Sequence, residues 1–164
     1  MKFFFRTHIN STKLRPSVFG LLSLFIISSC KRDKGNDPIP PASTTPALEL
    51  VSVSPSSVHQ LSDSITFVIK YTDGDGDLGY ESADSMSLYL TDTRFPLTMD
   101  YHIQPLSPVG TSISITGNLS VVLHNTILKN SSSTSESAVF EIKMRDRSGH
   151  ISNTLTCPAI TVLP

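Results

Sequence analysis

Three aspartates at alternate positions, with glycines between and after them, form the run Asp73-Gly74-Asp75-Gly76-Asp77-Leu78-Gly79. Carboxylates so close in sequence repel one another unless a cation sits among them. A hard cation such as calcium takes six to eight oxygen ligands, and glycine permits the tight backbone turns needed to wrap one. The run is not a helix–loop–helix calcium site. Its sixth position holds Leu78 where that loop needs Gly, its twelfth holds Asp84 rather than Glu, and strand-like segments flank it. The run alone also fits a polar, glycine-rich turn without metal. The expected chemistry is structural calcium binding by Asp73, Asp75 and Asp77, with Asp84 as a further candidate ligand.

Other chemistry is sparsely represented. The histidines at 8, 59, 102, 124 and 150 lack the spacing of a zinc site, and no G-x-S-x-G turn presents a serine nucleophile. The acids concentrate in one metal-like loop rather than in a separated pair suited to glycoside cleavage. An enzyme is therefore not expected. Trp is absent, which weighs mildly against sugar stacking, although Tyr80, Tyr89, Phe95 and Tyr101 remain candidate aromatic contacts.

Cys30 has a different chemistry. A basic segment ending at Arg15 precedes an apolar core from Val18 to Ile27, and Ile27-Ser28-Ser29-Cys30 follows. That order reads as an export signal over residues 1–29, and its ten-residue apolar core is shorter than the roughly 20 residues a spanning helix needs. Ile27-Ser28-Ser29-Cys30 resembles the lipobox of bacterial lipoproteins. The resemblance implies diacylglycerol on the Cys30 thiol, cleavage before it by signal peptidase II, and acylation of the new amine by a chain such as palmitate. Two or three acyl chains anchor durably where one binds marginally. The expected location is the cell envelope, anchored by lipid to the outer membrane and facing the periplasm or the surface.

From Cys30 onward the chain holds nine Lys and Arg against fourteen Asp and Glu, a net charge of −5, so nucleic acid is not an expected partner. Residues 30–47 are rich in Pro, Ser, Thr and charge and read as a flexible tether. Residues 48–164 alternate with period two, the mark of half-buried strands. Leu48 and Leu50 share one phase while Val51 and Val53 share the other, which predicts a bulge or a change of sheet. Ile65, Phe67 and Ile69 form one inward set; Met86, Leu88 and Leu90 another; Ala138, Phe140, Ile142 and Met144 a third. Ile113 and Ile115 make a short strand, Gly117-Asn118 a turn, and Leu119, Val121 and Leu123 the next strand. Segments 92–110 and 125–137 read as long loops. Cys157 falls in an inward phase, as a small core residue. Seven or eight short strands with turn signals favour an all-β sandwich.

The run SITFVIKYTDGDGDLG together with EIKMRDRSGHISNTLTCPAI resembles small immunoglobulin-like lipoproteins of Bacteroidota. The resemblance spans about residues 47–164 and implies an immunoglobulin-like antiparallel β-sandwich of about seven strands at the cell envelope, with no known reaction. In that topology the loop after the second strand and the last hairpin share a pole. Asp146, in the hairpin Arg145-Asp146-Arg147-Ser148-Gly149-His150, then approaches the aspartate run as a further ligand. Two roles stand side by side: a binding or structural accessory module with an envelope protein as partner, and a carbohydrate-binding surface lipoprotein with a glycan as partner.

Overall fold

A computed structural model describes residues 42–95 and 97–164. The export-signal and lipobox readings, and the tether as far as residue 41, lie outside the described residues.

Alternating side chains bury one face of each strand, and those faces close on each other. Strands β1 (Ala47–Ser54), β3 (Ile65–Asp73) and β6 (Ile115–Leu123) form one antiparallel sheet in the order β1-β3-β6. The facing layer is two ladders. One runs in the order β5 (Leu97–Tyr101), β4 (Leu88–Asp92), β8 (Phe140–Met144), β9 (Leu155–Thr156). The other runs β2 (Ser57–His59), β10 (Ile160–Leu163), β7 (Glu136–Ala138). Val139 and the segment Cys157-Pro158-Ala159 interrupt what is otherwise one hairpin, and a Cys157 N–H to Phe140 carbonyl bond of 2.9 Å links the ladders. Every pairing is antiparallel except β2 with β10. A first strand that pairs in one sheet and then crosses to run parallel with the last strand of the other is the immunoglobulin-like arrangement. The protein is an all-β, immunoglobulin-like sandwich.

The core is Ile65, Phe67 and Ile69 from one sheet against Leu88, Leu90, Phe140, Ile142 and Met144 from the other, all fully buried. Phe67 and Phe140 meet edge to face, ring centroids 5.3 Å apart. Cys157 is buried, and burial pushes its thiol up to about 11, which keeps it protonated and inert. The phase switch in β1 is a register shift between Leu50 and Ser52, which leaves Val51 unpaired and exposed.

Four local expectations are corrected. Gly117-Asn118 is not a turn: both pair with β3 inside the single strand β6. The glycine is there because a Cβ would come 2.6 Å from the Tyr71 hydroxyl, whose ring lies over it. Segment 92–110 is not all loop, since β5 pairs with β4 along its length. Met86 precedes β4 rather than starting it. The folded unit also begins before Leu48: Pro46 is buried and the Ser43 carbonyl accepts a 2.8 Å bond from the Gly74 amide. Among the described residues, the ladders and the core fall in one compact unit, Ile39–Pro164. Among the described residues no helix is long and apolar enough to cross a membrane.

Candidate metal centre

The aspartate run leaves β3 at the end of the ladder where Asp73 pairs with Ile115. The hairpin between β8 and β9 returns to the same pole, where Leu78 and Asp146 form an isolated antiparallel bridge. Asp73, Asp77 and Asp146 each offer a carboxylate oxygen, and these oxygens lie within 4.8 Å of one another. Asp73 and Asp146 are fully buried.

The carbonyls of this run are bonded to neighbouring segments. The Asp75 carbonyl accepts from the Ile113 amide (3.2 Å), the Leu78 carbonyl from Leu106 (3.0 Å) and the Asp77 carbonyl from Arg147 (3.2 Å). The Gly76 carbonyl accepts from the Ser107 hydroxyl. The Arg147 guanidinium donates to the Gly79 carbonyl at 2.8 Å and the Tyr80 hydroxyl to the Asp146 carbonyl at 2.7 Å. Leu78, fully buried, pins the run into the core. The loop is therefore held from segment 103–113, from the 145–150 hairpin and from Ser43.

The carboxylates are left over. Both oxygens of Asp73, and one each of Asp75 and Asp77, are buried without a hydrogen-bond partner among the described residues. Leaving such groups unmade costs about 1–3 kcal/mol each, more when charged. Burial, then the charges of Asp75 and Asp77, push the Asp73 carboxyl up from 3.8 to about 6. The second oxygen of Asp77 accepts from the Ser148 amide (3.0 Å) and hydroxyl (2.7 Å), which turns the first toward the cluster. Asp146 accepts from the His150 amide at 2.7 Å and pairs with its imidazole at 2.8 Å. That bond and the Asp146 charge raise the His150 imidazole above its ordinary value. Converging carboxylates, with both Asp73 oxygens and one oxygen each of Asp75 and Asp77 left without a partner, are suited to a hard divalent cation. Water would complete the coordination that calcium requires.

The structure thus brings together Asp73, Asp77 and Asp146, with Asp75 beside them. Asp84 is not brought in. Tyr80 ties the chain to Ile103 and Asp146, and Asp84 falls on the exposed turn beyond it, in which the Ser85 amide bonds the Ser82 carbonyl. Ser148 and His150 orient the ligands and escaped the sequence reading. The signal was present, since they follow Asp146 by two and four residues in one hairpin. Of the aromatics, Tyr80, Tyr89, Phe95 and Tyr101 are half-buried, and the Tyr80 and Tyr89 hydroxyls bond inward to carbonyls, so they do not form an open platform.

Gly76 and Gly79 carry the loop through positive φ, at 72° and 82°. A Cβ would meet the Ile113 carbonyl oxygen at 2.2 Å on Gly76 and the Gln104 carbonyl oxygen at 2.2 Å on Gly79. Both clashes are with backbone that cannot step aside cheaply. Gly79→Ala is therefore expected to destabilise the domain by more than about 1 kcal/mol. Urea denaturation at saturating calcium checks this, and an unchanged midpoint would contradict it.

No protein-family model and no curated protein matches the chain. Among solved structures it is similar to a Niemann-Pick type C2 protein from Japanese carpenter ant, at 12% identity and TM-score 0.38, covering 74% of this chain and 94% of that one. A likeness this loose leaves the site to be read from its own residues.

Proposed function

We propose that this chain is a lipid-anchored protein of the bacterial cell envelope whose sandwich binds one calcium ion through Asp73, Asp75, Asp77 and Asp146 and serves as a binding or structural accessory module. The observation that carries the metal reading is the buried Asp73 carboxylate, both of whose oxygens lack a partner while two further carboxylates converge on it. The ion ties β3, the 145–150 hairpin and, through Gly74 and Ser43, the start of the domain into one pole. Its role is structural, because its ligands come from segments that it crosslinks. Isothermal calorimetry of residues 39–164 should give one calcium site, and no heat at millimolar calcium would refute it.

The anchor rests on the Ile27-Ser28-Ser29-Cys30 motif. Cys30→Ala is expected to abolish lipid labelling and cleavage by signal peptidase II. Mass spectrometry of the mature protein should find an acylated peptide beginning at Cys30, and an unmodified terminus elsewhere would remove the anchor from the proposal. Crosslinking on intact cells then identifies the partner, an envelope protein under this reading.

A further inference from the structure

At the opposite pole the two sheets part. Ile65 pairs with Leu123 at that end of the β3–β6 ladder, and Asp73 with Ile115 at the other. At about 3.3 Å per residue the two ends are roughly 25 Å apart. The outermost strands of the two sheets on this flank, β5 and β6, leave a cleft of about 450 Å³ between them. Phe95, Leu97, Met99, Leu123, Ile127 and Phe140 line it, with the fully buried Phe140 as its floor. Leu97 and Ile127, on its wall, are 62% and 45% exposed and make its rim apolar as well.

Of the polar residues that line the cleft, Asp92 and Thr126 are committed to Arg94, and Asn125 is exposed. The Arg94 guanidinium donates to both Asp92 oxygens, to Glu136 at 3.0 Å and to the Thr126 hydroxyl at 3.0 Å, and lies 5.2 Å over the Phe95 ring. One cation is thus shared by two carboxylates, so this group carries a net negative charge and presents no free cation to a ligand. Among the described lining residues an anion finds no free cation and faces this negative group.

We propose that this inter-sheet cleft is a binding site for one neutral, apolar small molecule. The size and shape fit that class. Ligand pockets span about 300–1,000 Å³ and are mostly apolar with a few fixed polar groups. An apolar cavity of about 150 Å³ accepts benzene, so three times that space suits a molecule of roughly eighteen non-hydrogen atoms. The site is independent of the metal centre.

The test is fluorescence titration of residues 39–164 with two probes that share a ring skeleton. N-phenyl-1-naphthylamine is neutral; 8-anilino-1-naphthalenesulfonate is its anionic counterpart. Saturable one-to-one binding of the neutral probe is expected, with the anionic probe at least tenfold weaker. Met99→Trp fills the cleft and should weaken binding at least tenfold. The pair Leu97→Ser with Ile127→Ser, both at exposed positions, should do the same and serves if Met99→Trp fails to fold. Val51→Ser removes an exposed apolar side chain of β1 that does not line the cleft and should leave binding unchanged. No saturable binding, or affinity unmoved by both cleft variants, overturns the site. Equal affinity for the anionic probe overturns the neutral class. A dimer in sedimentation that excludes the probe would assign the cleft to a second copy and overturn the proposal.

Discussion

Calcium added to the chelated domain should raise its melting temperature by on the order of 10 °C at one hundred times the dissociation constant. A ligand that binds only the folded state adds about 2.7 kcal/mol at that concentration, and each kcal/mol moves the midpoint of a domain this size by about 4 °C. Magnesium should do much less, because it demands strict octahedral geometry and sheds water reluctantly. Asp73→Asn separates this account from a generic acidic turn, because the two states should respond with opposite signs. With calcium, the variant should melt below the native protein, having lost a ligand and its charge. In chelator it should melt above it, because a buried, unpartnered carboxylate has been replaced by a neutral group of the same shape.

The pH dependence follows from the same side chain. Without metal, the Asp73 carboxyl titrates near 6 in the folded protein against 3.8 unfolded, so folding favours its protonated form. That stabilisation is complete below about pH 3.8 and is lost as the pH rises through about 6. Calcium binds the carboxylate form, so the calcium-induced rise in melting temperature should be small at pH 5 and should grow through pH 6 to 7. Identical melting curves in calcium and chelator at pH 7 would reduce the loop to an acidic turn.

Phe140→Ala should cost about 3–5 kcal/mol. Phe140 is fully buried, packs edge to face on Phe67 across the two sheets, and sits where the β8–β9 and β7–β10 ladders join. Truncation removes one ring of that edge-to-face pair and extends the neighbouring cleft inward. Denaturant midpoints in saturating calcium measure this without the metal as a variable. A loss below about 1 kcal/mol would mean that the ring is not the keystone its burial suggests.

Much of the sandwich was legible in sequence, since strand phase is a local property. The period-two sets at 65–69 and 138–144 name the inward faces, and the switch between Leu50 and Val51 marks the bulge, because each follows from which neighbour points which way. The aspartate run likewise announces its chemistry, because charge repulsion among Asp73, Asp75 and Asp77 is a short-range matter of spacing. The approach of Asp146 followed from the immunoglobulin-like topology, in which the two loops share a pole.

What only the tertiary structure decided concerns partners distant in sequence. Gly117 serves a turn or a close approach equally well in one dimension; the ring of Tyr71 across the ladder selects the second. Asp84 has the right chemistry at a plausible spacing, yet Tyr80, tied to Ile103 and Asp146, turns the chain away before it. Ser148 and His150 become orienting groups because the hairpin folds onto Asp77 and Asp146. The parallel pairing of β2 with β10, and the cleft between β5 and β6, likewise arise from segments far apart in the chain. Periodicity determines which side of a strand is apolar; the sheets that close over it determine what that side touches.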